Sequence, residues 1–508
     1  MLIMLRLQSA VESLKKRINS LGQSAFIIGL FSLFWFLLRT GTKPTRAVYP
    51  CQRVAAANSY LWFTIYVIPF FHTVLRKFSN MANIKITRRT VIVLTVLAIV
   101  STGSVVSWHL YEMWSQPKEG AKRLILEGWK AKETPASDIF VINGTKGGDN
   151  GVTELIDLMG EHGIFFYKSP KAGENKGPDG LIARDDVIII KVNSQWNERG
   201  GTNTDLLKML IQAILDHPDD FVGEIIVADN GQAQYGSAGS GGSLSWRRNN
   251  AENYSQSVQK VVDMFSGSHK VSTYLWDSIT MNRVKEYEDG DIEDGYVVNE
   301  TANPRTGIMV SYPKFKTKFG TYVSFKRGIW NPETQTYDSE RLKVINMPVL
   351  KTHSIYGVTA CVKHYMGVVS DQLTRNLGAR AHNTVGTGGM GTEMVETRFP
   401  VLNIIDAIWV NAVPGGGPRT PYNVATRINI IAASRDSVAL DYWAAKYVLM
   451  KVAELRGYRD LSSMDPDNSS PGSFGYWLSR SMEEIRLAGY QVTMDEDHMN
   501  VYIRNLES

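Results

Sequence analysis

The hydrophobic pattern divides the chain into an apolar N-terminal region and a longer region of alternating short elements. Three early stretches contain no Lys, Arg, Asp or Glu: Leu21–Leu38, Val54–Leu75 and Thr90–Tyr111. The second and third have about the 20 residues that a helix needs to cross a bilayer, and the first is at the short end of the range. We therefore predict a helical transmembrane anchor within residues 1–117. A buried hairpin of soluble helices is the alternative.

Basic residues between these stretches indicate an orientation. Residues 1–117 hold 13 Lys/Arg and 2 Asp/Glu, whereas the whole chain holds 55 and 50. The positive-inside rule places the basic clusters at 15–17 and 76–89 in the cytoplasm. We therefore predict a protein of the cell membrane that contacts lipid. Its residues 118–508 are predicted to be extracytoplasmic. Arg88 and Arg89, before an apolar run, also resemble a twin-arginine export signal. The basic loop 39–53 does not fit this topology: either it contacts anionic headgroups or the first stretch does not span.

Residues 118–460 have the pattern of an α/β domain. Asp186–Val192 is an almost continuous β-branched run, which is typical of a buried parallel strand. The amphipathic stretch Asp205–Leu215 and a second apolar strand, Glu224–Ala228, follow it. This order predicts a βαβ unit and a mostly parallel sheet. Later apolar runs predict further strands at Leu342–Met347 and Asn403–Trp409.

Two segments depart from this pattern. Residues of about 236–341 are rich in glycine, serine and charge, which indicates either an inserted subdomain or a set of long loops. Residues 461–508 form a C-terminal extension, with a helix predicted at Tyr476–Leu487 and a strand near Met499–Arg504.

Composition excludes several classes of protein. The excess positive charge belongs to the N-terminal region alone, so a nucleic-acid binder is disfavoured. Cys51 and Cys361 are too few for a cysteine-ligated iron–sulfur cluster or a disulfide framework.

The first candidate site is the loop after the strand at 186–192. Lys191 places a charge at the end of an apolar strand, and a buried lysine needs a partner. Asn193, Thr202 and Thr204 follow where a helix begins, so their loop could bind an anion; an ordinary capped connection is the alternative. Asp229 ends the next strand and could hold a metal or a hydroxyl, although Asp-Asn-Gly is also common turn chemistry.

The densest cluster of candidate residues is the run PVLKTHSIYGVTACVKHYMG at 348–367. Lys351 and His353 lie two residues apart at a strand end, where they could converge on one ligand. We predict a helix over Gly357–Met366 that carries Lys363. Lysine supplies charge or a base, and histidine an acid, a base or a metal ligand. Lys351, His353 and Lys363 are therefore candidate catalytic residues.

Three residues downstream complete the predicted site. Arg380 and His382 precede the glycine-rich run Gly386–Gly391, which is predicted to be a mobile loop over an anionic ligand. Asp406 ends the apolar run LNIID, where a strand end is predicted, and is predicted to take part in catalysis. Asp229 and His353 are the predicted ligands of a divalent metal.

The run LKTHSIYGVTACVKHYMGVV resembles the signature of the family called domain of unknown function 362. The resemblance extends to IIIKVNSQWNERGGTNTDLL, DAIWVNAVPGGGP and SRDSVALDYWAA, and covers residues of about 186–450. It implies kinship of fold and no particular activity. Val187–Asp229 is also distantly similar to the opening unit of the nickel-pincer lactate racemases.

These observations predict a membrane-anchored extracytoplasmic α/β protein that acts on a small anionic molecule. Lys, His and Asp side chains would supply acid–base or metal-assisted chemistry. A non-catalytic solute-binding or envelope-assembly protein with the same cationic cleft is the alternative.

Overall fold

The computed structural model describes residues 26–36, single positions between 55 and 73, and residues 124–506 except 233–240, 248 and 253–255. The chain forms two compact units, Met1–Met113 and Trp114–Ser508.

In the first unit, residues 26–36 are helical. The Phe26 ring lies 5.5 Å from that of Trp62 and 5.2 Å from that of Tyr66. None of the helices in the described part of the chain has the length and apolar character needed to cross a bilayer. The stretch predicted at 90–111 lies outside the described residues, and the other two stretches are described only in part. The anchor therefore stays a prediction.

The second unit is an α/β structure, as the sequence predicts, and most of its large sheet is parallel. Its strands are β1 (Ser137–Asn143), β2 (Tyr167–Lys168), β3 (Lys176–Gly177), β4 (Val187–Lys191), β5 (Glu224–Asp229), β6 (Val271–Leu275), β7 (Gly295–Val298), β8 (Ser311–Lys316), β9 (Tyr322–Ser324), β10 (Gly328–Asn331), β11 (Thr336–Asp338), β12 (Leu342–Asn346), β13 (Val349–His353), β14 (Gly357–Thr359), β15 (Leu402–Asn411), β16 (Thr426–Ser434) and β17 (Met499–Asn505).

The helices of this unit are α1 (Gly151–Glu161), α2 (Thr204–Leu215), α3 (Val258–Phe265), α4 (Cys361–His364), α5 (Asp371–Asn376), α6 (Gly389–Glu396), α7 (Ser437–Trp443), α8 (Met450–Leu455) and α9 (Phe474–Leu487). A π-helical segment, Ala444–Leu449, joins α7 to α8. Short 3-10 helices occur at Glu198–Gly200, Trp276–Ser278, Tyr287–Asp289, Tyr365–Gly367, Ala381–Thr387 and Glu496–His498.

The large sheet has the strand order β17-β1-β16-β15-β12-β4-β5-β6. Strand β13 also pairs with β15, in parallel, and with β14, antiparallel. Strands β12, β4, β5 and β6 are parallel, so β4–α2–β5 is the predicted βαβ unit. Strand β16 is antiparallel to both of its neighbours. The terminal strand β17 forms an edge of this sheet beside β1.

Both faces of the large sheet are covered, which explains the continuous apolar runs. Ile188 and Ile190 of β4 pack in one core with α1, α2 and α3, whereas Ile189 packs in the core on the other face. The second core also includes residues of a five-stranded antiparallel sheet, β11-β10-β9-β8-β7, which lies in the segment predicted as a subdomain or loops.

Two predicted elements are wrong. Residues 357–366 do not form one helix: Gly357 has φ +72, which allows a tight return, and β14 pairs back on β13 before the short helix α4 begins. The glycine-rich run at 386–391 is not an open loop. It joins two helical segments through Gly388, at φ +93, and most of it is buried.

Candidate functional site

A cavity of about 380 Å³ lies beyond the carboxyl ends of β4, β5 and β13. This is where ligands bind in open α/β sheets. Basic and imidazole side chains dominate its lining, in which Asp229 is the acidic residue. The basic and imidazole residues are Lys191, Lys351, Lys363, Arg380, His353, His364 and His382.

Lys191 and Asp229 form a buried ion pair at the base of the cavity. Lys191 is the last residue of β4 and Asp229 the last of β5, and Nζ lies 2.8 Å from Oδ1. Ser194 donates its backbone N–H and its hydroxyl to the other carboxylate oxygen, at 2.7 and 2.9 Å. Burial lowers the pKa of Lys191, and the Asp229 carboxylate opposes this shift. A Cβ added at Gly367 would clash with both members of the pair, so the close approach requires glycine.

Lys351 and Lys363 are also buried but lack such a partner. Lys351 Nζ donates to the Gly200 carbonyl at 2.5 Å. Lys363 Nζ lies 5.1 Å from the centre of the Tyr356 ring, and the structure shows no hydrogen-bond acceptor for it among the described residues. Burial and the Lys363 charge lower the pKa of Lys351 to about 7, and burial lowers the pKa of Lys363 to about 8. Both side chains can therefore lose or gain a proton near neutral pH.

His353 ends β13 and is neutral. Its Nδ1 accepts from the backbone N–H groups of Ile355 and Tyr356, at 3.1 and 3.3 Å, so its proton resides on Nε2. Burial and the charge of Lys363 lower the pKa of His353 to about 2. His364 has partners on both sides, with Nε2 2.9 Å from the Val192 oxygen and Nδ1 2.7 Å from Asn346 Oδ1.

Asp371 fixes the positions of Arg380 and His382. It was not among the residues predicted from the sequence. Its carboxylate accepts from Arg380 Nε at 2.6 Å and from the His382 backbone N–H at 2.9 Å. His382 Nδ1 lies 3.6 Å from Asp371 Oδ2. Burial acts to raise the pKa of Asp371, but the His382 and Arg380 groups hold it well below its usual range. Arg380 and His382 line the same cavity as the lysines, as the sequence predicts.

The predicted anion site at the start of α2 is filled by protein groups. Asn203 caps this helix and accepts from the N–H groups of Asp205 and Leu206. Thr202 Oγ1 accepts from the Asn193 N–H at 2.7 Å, and Thr204 Oγ1 accepts from Gln256 at 3.0 Å. Asn193 lines the cavity, whereas neither threonine belongs to its lining.

Asp406 does not end its strand, because β15 continues through the apolar residues Ile408, Trp409 and Val410. The buried carboxylate accepts from Asn203 N–H, Asn250 Nδ2 and Ile408 N–H, at 3.1, 2.9 and 3.2 Å. Burial raises its pKa to about 6. Asp406 does not line the cavity. Its hydrogen bonds instead fix the surrounding loops.

Asp441 of α7 is a second residue that sequence reasoning missed. Its two carboxylate oxygens accept from the backbone N–H groups of Cys361 and Val362, at 2.6 and 3.0 Å. These are the first residues of α4, so Asp441 anchors the short helix that carries Lys363 into the cavity. The motif around Asp441 was visible in the sequence, but the partner 80 residues away was not.

The donor set of the cavity suits an anion better than a metal. Within the described residues, no three His, Cys, Asp or Glu side chains are arranged to hold a metal ion. Of the two predicted ligands, Asp229 already uses both carboxylate oxygens and His353 uses Nδ1. Metal ligation would also compete with the surrounding ammonium groups.

The sequence profile of the family described as domain of unknown function (DUF362) matches residues 339–446. Over these residues the chain is similar to DUF362 proteins. The resemblance predicted for residues of about 186–450 is thereby confirmed over residues 339–446. The DUF362 match includes Lys351, His353, Lys363 and Asp371, whereas Lys191 and Asp229 precede it. No curated protein matches the chain, and the distant likeness to lactate racemases stays a prediction.

Proposed function

We propose that the protein binds a small anionic molecule in this cavity and acts on it by proton transfer. The observation that carries the proposal is the pair Lys351 and Lys363. Both ammonium groups line one cavity, both are buried, and neither has a carboxylate partner among the described residues. A buried cation without a counter-charge is unfavourable, so an anionic ligand supplies what the site lacks.

A neutral hydrogen-bond donor in the cavity also favours an anionic ligand. Thr359 of β14 lines the cavity, and its buried hydroxyl has no hydrogen-bond partner in the described part of the protein. Buried polar groups are nearly always satisfied, so an orphaned hydroxyl beside two lysines favours a ligand oxygen there.

The lowered pKa values of Lys351 and Lys363 favour catalysis over simple binding. A site that only holds an anion gains most from side chains that are always charged. Lys351, with a pKa of about 7, changes its charge near neutral pH and can remove a proton from a bound molecule or return one. His353, which stays neutral, is then a hydrogen-bond donor through Nε2 rather than the acid–base group predicted from the sequence. The location of this site beyond a membrane stays a prediction.

Calorimetric titration of the full-length protein with inorganic sulfate tests the binding. Sulfate carries two charges at every pH used, so any proton taken up on binding leaves the buffer and is bound by a group of the protein. We expect uptake of about one proton at pH 8 and less at pH 6, measured in two buffers of different ionisation enthalpy. Lys363→Met should weaken sulfate binding about tenfold or more.

The matched control is Lys208→Met, because Lys208 is exposed on α2. This variant should bind sulfate as the wild type does. Equal affinity of wild type and Lys363→Met, or no binding to either, would contradict the proposal.

Copurified ligands distinguish an enzyme from a binding protein. Native mass spectrometry of the full chain should find different small molecules on wild type and on Lys351→Met, because the variant retains unreacted substrate. The same molecule on both proteins would identify the non-catalytic alternative.

A further inference from the structure

We infer that the ligand is an organic dianion whose anionic group contacts Lys351 and Lys363 and whose flat or apolar part lies against Tyr356. A phosphate monoester and a dicarboxylate both have this chemistry. The inference rests on the proposed function and adds the charge and the organic part of the ligand.

The charge follows from the ion pairs of the lining. Lys191 is neutralised by Asp229, and Arg380 by Asp371. Lys351 and Lys363 are the two lining cations that form no close ion pair with a carboxylate among the described residues. Asp229 and Asp406 attract Lys351, and Asp371 attracts Lys363, only from a longer distance. Two negative charges on the ligand would balance both lysines in their charged forms, whereas one would favour loss of the proton from the other lysine.

The organic part follows from the size and the walls of the cavity. A volume of about 380 Å³ lies in the range of sites for organic ligands, and an inorganic oxyanion would fill only a small part of it. Ile355 and Met366 contribute apolar surface, and Ile355 is 67% exposed at the mouth. Such a surface would gain little from a fully hydrated ion.

Tyr356 is placed to link the two parts of the ligand. Its ring centre lies 5.1 Å from Lys363 Nζ and 5.2 Å from that of the His353 ring, so it borders the cationic group. The ring is held in position because the Tyr356 hydroxyl donates to the His382 carbonyl and the Tyr356 backbone carbonyl accepts from Trp477 Nε1. A fixed, half-buried ring beside the charges can stack on a planar group attached to the anion.

Four probes test this inference by calorimetry on the full-length protein at pH 7. Phenyl phosphate and phenylmalonate are aryl dianions, phenyl sulfate has the shape of phenyl phosphate but one charge, and inorganic sulfate has two charges but no ring. We expect phenyl phosphate, phenylmalonate or both to bind about tenfold or more tightly than phenyl sulfate. The better aryl dianion should also bind about threefold to tenfold more tightly than inorganic sulfate. Which of the two binds better identifies the phosphate or the dicarboxylate type.

Variants of Tyr356 assign the second preference to its ring. Tyr356→Leu should weaken binding of the better aryl dianion several-fold more than that of inorganic sulfate, and Tyr356→Phe should restore the aryl preference. Equal binding of phenyl sulfate and both aryl dianions would overturn the charge assignment. Equal binding of inorganic sulfate and the aryl dianions would overturn the organic part. In either case the proposed function survives, whereas failure of all four probes would remove it.

Discussion

Two groups of lysines in the second unit have opposite environments. Lys446, in the π-helical segment after α7, lies 2.7 Å from both Asp467 and Glu496 and 2.8 Å from the Tyr442 hydroxyl. Burial acts to lower its pKa, but these partners outweigh burial and raise it. Lys351 and Lys363 have no such carboxylates, and burial lowers the pKa of each to about 7 and about 8. The same side chain is a fixed charge in one place and a titratable group in the other.

The difference indicates what each group is for. The Lys446 cluster satisfies its own charges and contributes to the stability of the empty protein. The cavity lysines lower that stability, because the folded chain confines their charge without a partner. Sites that bind or react commonly retain such unfavourable arrangements, since the ligand relieves them. Lys191 lies between the two extremes: it is as buried as Lys363, but Asp229 neutralises it.

Removing the partner of Lys191 should have the largest effect. Asp229→Ala leaves a buried ammonium unpaired, and we expect the free energy of unfolding to fall by about 3–5 kcal/mol. Urea unfolding of the full chain at pH 7, followed by tryptophan fluorescence, measures this change.

Two further variants show whether the loss comes from the unpaired charge. Adding Lys191→Met to Asp229→Ala should restore much of the stability, because no charge is then left buried. Asp497→Ala breaks the exposed ion pair with Lys132 and should have little effect. If Asp229→Ala were as mild as Asp497→Ala, the ion pair would have no such importance.

The second effect is smaller and has the opposite sign. Lys363→Met should raise the free energy of unfolding by about 2–3 kcal/mol at pH 6.5, because it removes an unpaired buried charge. The folded pKa is about 8 and that of an unfolded lysine about 10.4. Between these values the unfolded state binds more protons, so the stability of the wild type rises with pH. The advantage of the variant should therefore shrink from pH 8 to pH 10 in urea unfolding.

Sulfate should sharpen this result. At pH 6.5, saturating sulfate stabilises the wild type more than Lys363→Met and should remove the advantage of the variant. Lys208→Met, on the exposed side of α2, should show neither the pH dependence nor the response to sulfate. A Lys363→Met protein that is less stable than wild type at pH 6.5 would mean that the ammonium is paired in solution.

Local patterns were enough to predict the sheet and several residues of the cavity. Lys191 and His353 end β4 and β13, and Lys351 lies two residues before the end of β13. A charge near the end of an apolar strand marks the carboxyl edge of a parallel sheet, which is why the sequence indicates these residues. The position predicted for Asp406 is wrong because its strand continues beyond this internal carboxylate. Thr202 and Thr204 do not line the cavity because Asn203 caps α2 and both hydroxyls accept from protein groups. The roles of Asp371, Asp441 and Tyr356 depend on contacts between segments distant in sequence or on the close return at Gly357, which a linear pattern does not display.

The smallest effect should come from the Lys446 cluster. Lys446→Met should lower the free energy of unfolding by about 1 kcal/mol at pH 7, because the cluster is partly exposed and solvent screens it. Although partial burial opposes the shift, hydrogen bonds from Lys446 lower the pKa of Asp467 and of Glu496. The loss should therefore be constant from pH 6 to pH 9, where Lys446 is charged in both states, and should disappear as both carboxylates are protonated below about pH 4. Lys451→Met, which removes only an exposed pair with Glu454, is the control and should change little. A Lys446→Met protein that gains stability at pH 7, as we expect for Lys363→Met, would show that carboxylate partners are not what separates the two groups of lysines.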